Sequence, residues 1–184
     1  MNTNIFRAEI SESIMTTPIS DHLKQVETIK RLSQSVAKRL QYRNISVTTA
    51  ESCTGGAIAT AITEVAGSSQ WFEQGFITYS NTAKQALLGV KAELIQSHGA
   101  VSQAVVEAMA TGALSMADAG VSVAVSGIAG PGGGSRDKPV GTVWIAYDHY
   151  QCGVSSQCFL LAGDRQRVRS QAVIEALKGL ERLL

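Results

Sequence analysis

A chain of 184 residues with 45% apolar content is long enough to close one core of ordinary size. Its net charge of +1, with 17% charged and 5% aromatic residues, argues against nucleic-acid and membrane-surface binders, which carry a field of one sign. No apolar stretch is long enough to span a bilayer and no signal-peptide core follows Met1, so the expected location is cytoplasmic.

The elements are expected in this order. Residues 1–20 are polar, lack a clear period and contain Pro18, which reads as a flexible leader. A helix is predicted from Asp21, with Val26, Ile29, Val36 and Leu40 on one face. Ile45 to Ala50 is a short β-branched strand, followed by a helix from Cys53 to Ala66 that Gly67 stops. A strand is expected around Phe76–Tyr79, then a helix capped by Ser80 or Asn81 and ended by Gly89. His98 ends a helix, and Ser102 caps a longer one running to about Ala117. Val121 to Val125 is a buried strand; Thr142 to Tyr147 and Val154 to Leu160 form a hairpin. Asp164 caps the last helix, which carries a stripe of Val173, Leu177, Leu180 and Leu184. Helices alternating with short apolar strands imply an α/β fold, and the hairpin makes its sheet mixed.

Metal and disulfide chemistry are not expected. Cys53, Cys152 and Cys158 are odd in number and form no CxxC pattern, and His22, His98 and His149 stand far apart. No cofactor is predicted.

Three segments carry the chemistry. Thr48-Thr49-Ala50-Glu51-Ser52-Cys53-Thr54-Gly55-Gly56 lies at a strand-to-helix junction, where free N–H groups can hold an anion or a developing oxyanion. Ser52 sits where a nucleophile could be presented, and the glycines Gly55 and Gly56 let another molecule approach the backbone closely. The same residues match a capping box of Thr48 and Glu51, with Ser52 as a simple cap. The flanks of Ser52 fit neither a G-x-S-x-G elbow nor S-x-x-K, so a base must come from elsewhere.

The second segment runs from Ser126 to Ser135. Gly127, Gly130, Gly132, Gly133 and Gly134 make a loop able to wrap a ligand, yet no lysine or following helix makes it a P-loop or dinucleotide fingerprint. In the third, Thr78-Tyr79-Ser80-Asn81-Thr82-Ala83-Lys84, the lysine falls in the first turn of its helix. The dipole there favours the neutral amine, the form a general base needs. Arg165 and Arg169 share a helix face one turn apart, and either suits a phosphate or carboxylate.

Taken in order, Ala50–Gly56, Tyr79-Ser80-Asn81 with Lys84, Ser126-Gly127-Ile128-Ala129-Gly130-Pro131 and Gly163-Asp164-Arg165 resemble the signature segments of the CinA C-terminal domain family, over roughly residues 21–184. The resemblance is to the stand-alone form, without the molybdopterin-binding-like domain of larger relatives. It implies a three-layer α/β/α sandwich with a mixed, mostly parallel sheet. It also implies hydrolysis of the carboxamide of nicotinamide mononucleotide to nicotinic acid mononucleotide and ammonia, within pyridine-nucleotide salvage. Ser52 would be the nucleophile, with Tyr79 and Lys84 as partners. Substrate contacts are expected at Thr54, Gly55, Gly56, Ser126, Gly127, Gly130 and Arg165, with the phosphate left open between Arg165 and the glycine loop. The expected partner is a small nucleotide, without nucleic acid or membrane and with room for a homo-oligomer. Two rivals stand beside this reading: a serine amidase or esterase of different range, and a non-catalytic nucleotide-binding module.

Overall fold

β-Branched Val47-Thr48-Thr49 and the run Val121–Val125 are buried on both faces, as the central strands of a covered sheet must be. The computed structural model describes the backbone of residues 16–184 and the side chains from residue 21 onward. Its strands are β1 (Val47–Glu51), β2 (Phe72–Ile77), β3 (Val121–Gly127), β4 (Thr142–His149) and β5 (Gly153–Leu160), in the spatial order β2-β1-β3-β4-β5. β1 pairs in parallel with β2 and β3, while β3–β4 and β4–β5 are antiparallel. The sheet is thus mostly parallel by strand direction, because only β4 opposes the others. By pairing it divides evenly, since each side of β4 makes an antiparallel ladder.

The helices are α1 (Thr16–Arg43), α2 (Ala57–Thr63), α3 (Asn81–Leu88), α4 (Ala92–His98), α5 (Gln103–Ala117) and α6 (Arg165–Leu183). α1, α2 and α6 cover one face, where Leu32, Val36, Leu40, Ile58, Leu177 and Leu180 meet Val47, Val123 and Ile145. α3, α4 and α5 cover the other, where Leu88, Ile95, Val105 and Met109 meet Ala50, Ala124 and Ala146. Alanine on that sheet face lets the helix layer lie close, and the result is a three-layer α/β sandwich.

Local chemistry explains the element ends. Ser80, Ser102 and Asp164 cap α3, α5 and α6 by accepting from the N–H groups of Ala83, Val105 and Arg167, each worth about 1 kcal/mol. His98 is the last residue of α4, and Gly89 closes α3. Four expectations need correction. α1 begins at Thr16, inside the expected leader, because a proline such as Pro18 is tolerated in a first helical turn; residues 1–15 lie outside the described residues. Val26 is 49% exposed, so burial against the core starts further along, from Ile29 and Leu32. α2 begins at Ala57 rather than Cys53, because Gly55 (φ 62°) and Gly56 (φ 93°) turn the backbone left-handed first. β2 ends at Ile77, which leaves Thr78 and Tyr79 outside the sheet.

Candidate active site

The parallel ladders bring together the residues that follow the strands. Glu51 pairs with Ile77 across β1–β2 and with Val125 across β1–β3. Ser52, Thr78 and the glycine loop therefore emerge side by side at the carboxyl ends of three strands, where open α/β sheets bind their ligands. Two hydrogen bonds extend the register past the ladders: Ser52 N–H donates to Val125 O at 3.0 Å, and Thr78 N–H to Glu51 O at 2.8 Å.

Lys84, from the first turn of α3, is 1% exposed and reaches into this junction. Its Nζ lies 3.1 Å from Ser52 Oγ, 2.8 Å from Thr78 O and 3.4 Å from Tyr79 O. Burial lowers its pKa from the ordinary lysine value, because desolvation disfavours the charged form. A neutral amine has two N–H groups and one lone pair. The two carbonyls can take only the N–H groups, so Ser52 is the one of the three partners able to donate to the lone pair. Cys53 adjoins the serine, but burial pushes its thiol up to about 11, which keeps it protonated at neutral pH.

The turn that presents Ser52 is fixed from two sides. The Glu51 carboxylate, fully buried, accepts from the N–H groups of Gly56 and Ile58 at 3.0 Å each and of Ala59 at 2.8 Å. Arg169 donates through Nη2 to Thr54 O at 2.8 Å. The capping box is not formed: Thr48 lies within β1 and its hydroxyl donates to Gln74 O at 2.9 Å. Nor does Ser52 cap α2, whose N-cap is Gly56. At the α2 terminus the N–H groups of Gly56, Ile58 and Ala59 are taken by Glu51 and that of Ala57 by Thr54 O, so the expected anion site there is filled by the protein itself. Among the described residues, the N–H groups of Cys53 and Thr54 donate to no backbone carbonyl.

The substrate-contact candidates separate into those at the surface and those inside. Gly55 is exposed and Gly56 partly so. Thr54 is fully buried and its hydroxyl is unpaired. Ser126 is buried and donates to Ala100 O at 2.7 Å, which braces β3 against the turn before α5. Gly127 ends β3. Gly130, with φ 80°, lies where a Cβ would come within 2.6 Å of Val140, and its carbonyl accepts from Arg165 Nη1 at 3.0 Å. Arg165 Nη2 donates to the Tyr79 hydroxyl at 2.9 Å. The Tyr79 side chain is 59% exposed and its hydroxyl faces Arg165; only its main-chain carbonyl touches Lys84. Arg165 thus joins Tyr79 to the buried Gly130, with Tyr79 and Arg165 as the exposed rim of the group, and the Tyr79 main chain links it to the buried Lys84 and Ser52. Among the described residues, no group of three or more His, Cys, Asp or Glu is placed to hold a metal ion. No described helix is long and apolar enough to cross a membrane.

Residues 29–184 match the family model of the CinA C-terminal domain. The chain belongs to that family. It is 53% identical over 154 residues to an Escherichia coli (strain K12) protein named nicotinamide-nucleotide amidohydrolase PncC, covering 83% of this chain and 92% of that one. A Pseudomonas putida protein of the same name is 52% identical over 158 residues, covering 86% and 98%. Among solved structures, the competence/damage inducible protein CihA of Agrobacterium tumefaciens superposes with a TM-score of 0.83 at 43% identity, over 85% of this chain and 95% of that one. The CinA family's α/β fold and that of this chain are therefore one.

Three further residues hold the site through contacts that no local pattern predicts. Glu51 was legible only as half of a local capping box. Arg169 was visible as a cation on the face of Arg165, but its contact with Thr54 spans 115 positions. Lys138 carried no signal at all; its Nζ donates to His98 O and Val101 O at 2.8 Å each, latching the glycine loop to the end of α4.

Proposed function

We propose that the protein is a nicotinamide-nucleotide amidase that works through a serine nucleophile and a lysine base. The observation that carries this reading is the contact of Lys84 Nζ with Ser52 Oγ at 3.1 Å, in a buried setting whose other acceptors are main-chain carbonyls. The substrate follows from the relatives named nicotinamide-nucleotide amidohydrolase at 53% and 52% identity.

Ser52 Oγ attacks the carboxamide carbon while its proton passes to the Lys84 lone pair. The carbonyl oxygen becomes an oxyanion, for which the N–H groups of Cys53 and Thr54 are the donors nearest in the chain. The Lys84 ammonium returns its proton to the amide nitrogen, the C–N bond breaks and ammonia leaves. An ester on Ser52 remains. Water, deprotonated by Lys84, attacks that ester and releases the carboxylate product and the serine. Arg165, held between Gly130 O and the Tyr79 hydroxyl, stands at the rim as the candidate for the nucleotide phosphate.

The test is ammonia and nicotinic acid mononucleotide formation from nicotinamide mononucleotide, comparing wild type with Ser52→Ala. Product from the wild type and none from the folded variant is expected. Product from both would remove the serine mechanism; product from neither, with turnover of simpler amides or esters by the wild type, would move the reading to an amidase of different range.

A further inference from the structure

Glu51 is a buried acid that the reaction above leaves unused. It ends β1 one residue before Ser52 and is fully buried. A carboxylate is kept in such a place only when its oxygens are hydrogen-bonded, and here both are. Oε2 accepts from Gly56 and Ile58, Oε1 from Ala59. The usual way to anchor a helix start is a serine, threonine or aspartate at the N-cap. Gly56 stands there instead, at a φ of 93° that leaves side chains strained. The anchor of α2 is thereby routed through the neighbour of the nucleophile. The turn from Ser52 to Gly56 is tied at its start by Ser52 N–H to Val125 O and at its end by Gly56 N–H to Glu51.

We propose that Glu51 is a positioning residue, whose carboxylate clamps the Ser52–Gly56 turn so that Ser52 Oγ stays on Lys84 Nζ. Lys84 comes from α3, a different element, so the alignment of the two depends on how firmly the turn that carries Ser52 is held. With the Gly56, Ile58 and Ala59 N–H groups held by Glu51, the Cys53 and Thr54 N–H groups are the ones in this turn that make no hydrogen bond to another residue. The inference rests on the reading of Ser52 as the nucleophile.

Glu51→Gln tests it. Whichever way the amide is placed, its NH2 group meets at least one backbone N–H, and the clamp is weakened without loss of volume. Two rates are read on protein shown to be folded by circular dichroism: phosphonylation of Ser52 by a fluorophosphonate, followed by mass spectrometry, and turnover of nicotinamide mononucleotide. Misplacement of a reacting group by about 1 Å costs on the order of 100-fold. Labelling and kcat should therefore fall together, by roughly 10- to 100-fold, with KM within about 2-fold of wild type. A folded variant that labels and turns over at wild-type rates would overturn the proposal. If Glu51→Gln does not fold, Glu51→Asp, whose shorter side chain cannot reach all three N–H groups, is read in the same way. Failure of both to fold would make Glu51 a stability residue and also overturn the proposal. Absence of Ser52 labelling in the wild type would instead sink the nucleophile reading itself.

Discussion

Lys84 Nζ touches Ser52 Oγ across 32 positions of sequence, and its two other contacts are the carbonyls of Thr78 and Tyr79. No carboxylate stabilises the ammonium form at these contacts, and burial favours the neutral amine. Lys84→Arg should therefore be nearly as damaging as Lys84→Ala, since arginine stays protonated and cannot accept the serine proton. Steady-state rates of ammonia release decide it; substantial activity in the arginine variant would mean the residue acts through charge alone.

The same burial sets two pH dependences. The base must be unprotonated, so kcat/KM should rise with pH through the lowered pKa of Lys84, with its ascending limb below the ordinary lysine value of 10.5. Stability should follow in sign. Between the lowered folded pKa and the unfolded value of 10.5, the unfolded chain holds more protons, so wild-type stability gains as pH rises through that window. Lys84→Met lacks this term. Urea titrations across the window should show the stability of the variant relative to wild type falling as pH rises, and a constant difference would contradict the assignment.

Tyr79 provides a sharper discrimination. A tyrosine that relayed the serine proton would need its hydroxyl near Ser52, but that hydroxyl faces Arg165 at 2.9 Å. Tyr79→Phe is thus expected to remove one rim hydrogen bond, worth roughly 1.5–3 kcal/mol at most for a charged donor. Its effect should be non-additive with Arg165→Ala, because the two share that bond. A double-mutant cycle on kcat/KM measures this; additive losses, with Tyr79→Phe acting on kcat by orders of magnitude, would instead place Tyr79 in proton transfer.

What the sequence made legible, and what it hid, follows the range of each interaction. Caps such as Ser80, Ser102 and Asp164 act within three residues, and the buried strands announce themselves by β-branched runs. Ser52 and Lys84 could be suspected separately, each at a helix start. Their meeting depends on the parallel β1–β2 register, which no local pattern encodes. Glu51 was misread for the same reason. A capping box is a contact of three residues, whereas this carboxylate reaches five, seven and eight residues ahead, across two left-handed glycines. The donor of the Ser126 hydroxyl goes to Ala100 O, 26 residues away, which leaves only its acceptor lone pairs for a substrate and which no local pattern encodes.

Exhaustive chelation should leave activity unchanged, because among the described residues no cluster of His, Cys, Asp or Glu offers a metal site. Dialysis against a chelator followed by an ammonia assay tests this. Loss of activity restored by one particular divalent ion would overturn it.

Substrate choice exposes the proposal most. Nicotinamide, its riboside and its mononucleotide share the scissile carboxamide, so discrimination among them must come from remote contacts that position the carboxamide against Ser52. With the α2 N-terminus occupied by Glu51, the phosphate needs another partner. Arg165 at the rim is the candidate: it is exposed and its guanidinium is already oriented by Gly130 O and the Tyr79 hydroxyl. A charge-assisted hydrogen bond contributes roughly 1.5–3 kcal/mol, or about one to two orders of magnitude in kcat/KM. Wild type should therefore prefer the mononucleotide over the riboside by at least that factor, and Arg165→Ala should flatten the preference while leaving riboside turnover nearly unchanged. kcat/KM for the three substrates with both proteins is the measurement. Equal use of riboside and mononucleotide by the wild type would remove the phosphate site and favour an amidase of wider range. A preference that survives in Arg165→Ala would move the phosphate to the backbone of the loop from Gly130 to Gly134.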